Sequence, residues 1–168
     1  MASNPELGEL AVRVGAKLHA AGRRLATAES CTGGWIAKEL TDIAGSSQWF
    51  ECGFVTYSNA AKVRDLGVPA DMLARCGAVS EPVVREMACG ALRVTGSDVA
   101  VAVSGIAGPD GGTAEKPVGT VWFCVAARQG VAVTHHCELK RYDGDRAAVR
   151  ESAVAHALRL ILQLDESR

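Results

Sequence analysis

The chain of 168 residues has no surplus of positive charge: its formal net charge is -1, and 22% of its residues are charged. Duplex nucleic acid and anionic membranes are held by clustered cations that neutralise phosphates, so neither is expected as a partner. Long apolar runs are missing too. Stretches such as 118–127 and 99–103 fall well short of a bilayer span, and no basic segment followed by an apolar one opens the chain, which leads to the expectation of a cytoplasmic protein. None of the six cysteines (Cys31, Cys52, Cys76, Cys89, Cys124 and Cys137) forms a C-x-x-C pair, so most are expected to be small buried hydrophobes and no redox dithiol is expected. His135 and His136 are adjacent on an expected strand and point to opposite faces, so no metal site is expected. G-x-S-x-G, G-x-x-x-x-G-K-[ST] and G-x-G-x-x-G are all absent. That leaves out the nucleophile elbow and the two standard glycine-loop nucleotide sites.

What is present is a chain that is 48% hydrophobic, enough for one substantial core and too short for two ordinary domains. A single domain over residues 1–168 is expected. Leu10, Val14 and Leu18 recur at helical spacing between Pro5 and Ala21, and Gly22 ends that helix. A short strand over 24–28 is expected to run into Glu29-Ser30-Cys31-Thr32-Gly33-Gly34 and a helix over 35–43. A strand over 49–57 leads through Ser58-Asn59 to a short helix carrying Lys62. Helices to Cys76 and from Ser80 to about Thr95 fill the middle third. The continuous run 99–103 suits a strand buried on both faces, and it empties into the glycine-rich loop 104–112. Strands over 118–127 and 131–139, joined by a hairpin turn at Gln129-Gly130, precede a final helix over about 145–164. The alternation in 131–139 predicts one solvated face. Helices mixed with strands in this order predict an α/β fold, a single three-layer α/β/α domain with a mixed, mostly parallel sheet.

Ser30 lies between a strand end and a helix start, where several backbone N–H groups lack intrahelical partners. Either Ser30 or Thr32 caps that helix, or the amides of Thr32, Gly33 and Gly34 form an oxyanion hole or phosphate cradle beside a nucleophilic hydroxyl. A serine nucleophile needs a base, and no histidine occupies a strand end or the glycine loop. Lysine can serve when burial lowers its pKa. Lys62 is thus either a solvated helix lysine or that base, and Tyr57 either a core residue or a group that holds Lys62 or the reacting carbonyl. Four glycines in the 104–112 loop, including Gly105 and Gly108 beside Ser104, let backbone approach a ligand or simply make a turn. Arg146 either binds a substrate phosphate bidentately or pairs with Asp143 or Asp145.

Five segments, 28–34 (AESCTGG), 53–59 (GFVTYSN), 104–109 (SGIAGP), 116–120 (KPVGT) and 144–146 (GDR), in this order resemble the CinA C-terminal-domain family over nearly the whole chain. That family includes stand-alone amidohydrolases of nicotinamide nucleotides, and the chain length resembles that form. The resemblance implies a Ser-Lys acyl-enzyme mechanism in pyridine nucleotide salvage: Ser30 as nucleophile, Lys62 as base, Tyr57 assisting, and Ser104 and Arg146 at substrate-orienting positions. It implies nicotinamide mononucleotide as the small-molecule substrate, no metal or organic cofactor, and a homodimer. Ser104 stands where many relatives carry threonine, which keeps the hydroxyl, and Cys31 beside Ser30 is a second possible nucleophile. The rival reading is a non-catalytic nucleotide-binding or interaction domain of the same family.

Overall fold

The computed structural model describes residues 4–164. Its elements run α1 (Pro5–Ala20), β1 (Leu25–Glu29), α2 (Trp35–Thr41), a 3-10 turn (Ser46–Gln48), β2 (Phe50–Val55), α3 (Asn59–Leu66), α4 (Ala70–Cys76), α5 (Glu81–Thr95), β3 (Val99–Gly105), β4 (Thr120–Gln129), β5 (Ala132–Arg141) and α6 (Arg146–Gln163). Local chemistry sets several of these bounds. The Asn4 side chain accepts from the Glu6 amide ahead of Pro5 to start α1, and Asp145 accepts from the Ala148 amide to start α6.

The five strands are ordered β2-β1-β3-β4-β5. β1 pairs in parallel with both β2 and β3, while β3–β4 and β4–β5 are antiparallel. Four strands therefore share one direction and only β4 opposes them. From β1 the chain moves outward to β2 through α2, then recrosses β1 to reach β3 through α3–α5. Right-handed crossovers in opposite directions place their helices on opposite faces. One core cluster accordingly joins α1, α2 and α6 to the sheet through Leu7, Val14, Ile36, Val101, Phe123 and Leu158. The other joins α3–α5 through Leu66, Val84, Met87, Ala102 and Cys124. β1 and β3, covered from both sides, are buried almost throughout. The winding reverses between β1 and β3, and the carboxyl ends of the strands at such a reversal are the usual ligand position in sheets of this kind.

Three local expectations are corrected. β2 ends at Val55, so Thr56, whose amide still donates to the Glu29 carbonyl (2.9 Å), and Tyr57 lie beyond the strand. The last β4–β5 register pair is Gln129↔Ala132, which puts the hairpin turn at Gly130-Val131. β5 is exposed on both faces apart from the half-buried Cys137 and Glu138, because it is the edge strand and α6 packs on β3 and β4 instead. Close helix packing has one strict requirement: a Cβ on Gly90 of α5 would collide with the carbonyl oxygen of Leu66 at the end of α3. Glycine is what lets α3 lie this close to α5.

Candidate active site

Ser30 leaves β1 with its amide still bonded to the Val103 carbonyl (3.0 Å), so the β1–β3 ladder fixes its backbone. The following turn passes through Gly33 (φ +64°) and Gly34 (φ +92°), consecutive left-handed positions that favour glycine. Gly34 has no side chain to cap α2, and the cap comes from upstream. The Glu29 carboxylate, fully buried, accepts from the amides of Gly34 (3.0 Å), Ile36 (3.1 Å) and Ala37 (2.9 Å). It meets both the unpaired donors and the positive end of the helix. Neither Ser30 nor Thr32 caps α2, and the Thr32 hydroxyl is buried without a partner.

The expected trio of free amides is reduced by this arrangement. Gly34 N–H is committed to Glu29, and Gly33 N–H donates to the Ser30 carbonyl (3.0 Å). The Thr32 N–H has no hydrogen-bond partner among the described residues. Its orientation is held by a residue that sequence reasoning missed. Arg150 donates through Nε to the Cys31 carbonyl (3.1 Å) and through Nη2 to the Thr32 carbonyl (2.9 Å), with its guanidinium 5.5 Å from the Trp35 ring centroid. In a trans peptide the C=O and N–H point opposite ways, so anchoring the Cys31 carbonyl aims the Thr32 N–H away from Arg150. The available signal was its position one helical turn after Arg146.

Lys62 is 1% exposed, and its Nζ lies 2.9 Å from Ser30 Oγ. Nζ also donates to the carbonyls of Thr56 (2.7 Å) and Tyr57 (3.4 Å), the two residues that left β2. Burial lowers the lysine pKa from 10.5 to about 8. A neutral amine has two N–H donors and one lone pair. With both donors taken by carbonyls, the lone pair faces the Ser30 hydroxyl, which then donates to it. Cys31 is different: it packs into the apolar core, and burial pushes its thiol up to about 11, so it stays protonated at neutral pH.

The Tyr57 side chain is exposed and turned away from Lys62, which it meets only through its carbonyl. Its hydroxyl accepts from Arg146 Nη2 (2.9 Å), while Arg146 Nη1 donates to the Gly108 carbonyl (2.8 Å). Arg146 thereby ties the glycine loop to Tyr57, and among the described residues it makes no ion pair with Asp143 or Asp145. Ser104 is buried near the end of β3. Gly105 answers to β4, since a Cβ there would stand 2.7 Å from Val121 Cγ2. Gly108 (φ +81°) likewise faces Val118. Ser30, Lys62, Tyr57 and Arg146 thus meet at one sheet end. Among the described residues no group of three His, Cys, Asp or Glu side chains is placed to hold a metal ion.

Residues 7–164 match the family model described as the CinA C-terminal domain. The chain is 56% identical over 161 residues to the nicotinamide-nucleotide amidohydrolase PncC of Escherichia coli K12, with 96% of each chain covered. It is 52% identical over 155 residues to the protein of the same name from Pseudomonas putida, covering 92% of this chain and 94% of that one. A CinA-like protein of Mycobacterium sp. is 56% identical over 84% of this chain, but the match spans 33% of that longer protein. Among solved structures, the competence/damage inducible protein CihA of Agrobacterium tumefaciens superposes with a TM-score of 0.89 at 46% identity, covering 96% of this chain and 98% of that one.

Proposed function

Because the chain belongs to the CinA C-terminal domain family, we propose that it hydrolyses the carboxamide of nicotinamide mononucleotide to nicotinic acid mononucleotide and ammonia, as a single catalytic domain in pyridine nucleotide salvage. The observation that carries this reading is the 2.9 Å approach of a buried, pKa-lowered Lys62 to Ser30.

Neutral Lys62 takes the Ser30 proton as Oγ attacks the carboxamide carbon. The Thr32 N–H, held by Arg150, is the donor for the developing oxyanion. The Lys62 ammonium then returns its proton to the leaving nitrogen, ammonia departs, and an ester remains on Ser30. Water, activated by the same amine, attacks that ester and releases the carboxylate. With a pKa of about 8, about a tenth of Lys62 is neutral at pH 7, enough for a base whose amine regenerates each cycle. The cationic pyridinium of the substrate makes its amide carbon more electrophilic. Arg146, which now donates to two neutral acceptors, is the group assigned to the substrate phosphate, with Tyr57 beside it, while the buried Ser104 supports the start of the glycine loop. A homodimer is part of the proposal, supported by the unpaired outer edge of β5 and its exposed Val133 and Leu139.

The test is ammonia release from nicotinamide mononucleotide, with mass spectrometry of protein quenched during turnover. An acyl adduct on Ser30, and loss of both adduct and ammonia in Ser30→Ala, are expected. An adduct on Cys31 overturns the nucleophile assignment, and binding without ammonia release favours the non-catalytic reading.

A further inference from the structure

Cys124 and Cys137, distant in sequence and free of any C-x-x-C spacing, stand opposite each other in the β4–β5 register. Gly130-Val131 is a two-residue hairpin loop, so its closing pair Gln129↔Ala132 exchanges both N–H···O bonds and the pair types alternate from there. Cys124↔Cys137 is the fifth pair onward, hence a non-hydrogen-bonded pair. Such pairs bring Cα atoms to about 4.5 Å with side chains on the same face, inside the range of roughly 4.4–6.8 Å that a disulfide spans. Cys124 is fully buried and Cys137 half-buried against the same core, so Cys137 on the edge strand is the more exposed residue of the pair and Cys124 lies beside it on the same face.

We propose that Cys124 and Cys137 are a dithiol modification site, oxidised to an intramolecular cross-strand disulfide by a small-molecule disulfide such as oxidised glutathione.

The two thiols have different roles. The Cys124 S–H donates to the Val125 carbonyl (3.9 Å), and contact with the neighbouring Cys124 side chain lowers the Cys137 pKa, with Arg85 adding to this against burial and Glu81. The same contact, with burial, raises Cys124. Cys89 looks onto the pair from α5, which presents Glu81, Arg85 and Cys89 at successive turns, but burial and Glu86 raise its thiol. The Cys137 thiolate attacks one sulfur of the small disulfide, forming a mixed disulfide and releasing one thiolate. That thiolate takes the Cys124 proton, and Cys124 attacks the Cys137 sulfur and expels the second thiol. Two protein thiols lose two electrons and two protons, and one small disulfide becomes two thiols.

The folded protein is incubated with oxidised glutathione, quenched in acid, alkylated after unfolding and mapped with trypsin. Arg128 lies between the two cysteines, so cleavage there leaves them on separate peptides joined only by the new bond. The expected result is four alkylated cysteines where the untreated chain shows six, with Cys124 linked to Cys137. Cys124→Ser is expected to retain glutathione on Cys137, and Cys137→Ser to leave Cys124 reduced. Six alkylated thiols after treatment, a disulfide through Cys89, or glutathione held on Cys89 in Cys124→Ser overturns the proposal; the map of the unsubstituted chain decides it even where a variant fails to fold.

Discussion

A lysine held beside a serine by two main-chain carbonyls makes two separate pH predictions. For catalysis, the neutral amine is the active form, so kcat/KM should rise with pH and level off above about 8, the pKa to which burial lowers Lys62. A flat profile between pH 6 and 9 would remove Lys62 as the base. For stability, the folded pKa lies below the unfolded one, so between about 8 and 10.5 the unfolded chain binds the extra proton and stability climbs with pH. The difference amounts to roughly 3 kcal/mol. Lys62→Met should abolish that climb in denaturant titrations at stepped pH. At Arg150, alanine should lower kcat by roughly tenfold to a hundredfold with little change in KM, the mark of a lost oxyanion donor geometry. Partial rescue by added guanidinium, with an unchanged pH midpoint, would separate this positioning role from general destabilisation. Spacing alone left Lys62 open between a solvated helix lysine and a base. The solvated alternative is removed by the packing of α3 against α5, which buries Lys62 and which no local pattern encodes.

At the level of elements, the start of α2 depends on a carboxylate five residues before its N-cap. Glu29→Gln keeps the shape but turns an N–H toward amides that themselves donate, so it should cost roughly 2–3 kcal/mol. It should also lower kcat, because the same turn carries Ser30. Thermal unfolding and turnover measured together would show this, and a Glu29→Gln protein as stable and active as the parent would refute it. Gly90→Ala must push α3 away from α5 and should cost about 1–3 kcal/mol, with Lys62 displaced and activity falling in parallel. Helices α1, α5 and α6 and strand β3 were legible in sequence because apolar period, caps and β-branched runs agree there. The cap of α2 was not, since sequence rules look for the capping residue at the N-cap position itself. β5 misled for a related reason: its alternation is real, but as the edge strand it is covered only in part, by α5 at Cys137.

Over the whole molecule, the reversal of winding at β1 explains why residues from the β1–α2 turn, the β2 exit, α3, the glycine loop and the start of α6 meet at one end of the sheet. The alternation of helices and strands predicted the α/β/α layers, and the five sequence segments carried the family. The strand order and the meeting of Cys124 with Cys137 are properties of the folded chain alone. Among the described residues no helix is long and apolar enough to cross a membrane. The proposed homodimer should appear as twice the chain mass in sedimentation equilibrium, and a single-chain mass across micromolar concentrations would rule it out.

The hold on Lys62 by the carbonyls of Thr56 and Tyr57 has a consequence for substitution. Every amino acid supplies a carbonyl, so the aim of the amine does not depend on which side chains occupy positions 56 and 57. Thr56→Val, which removes a buried hydroxyl that has no partner, should leave the kinetic midpoint in place and thermal stability undiminished. The aim of the amine is thus written into the main chain, while the Tyr57 side chain stays tied to Arg146 through its hydroxyl.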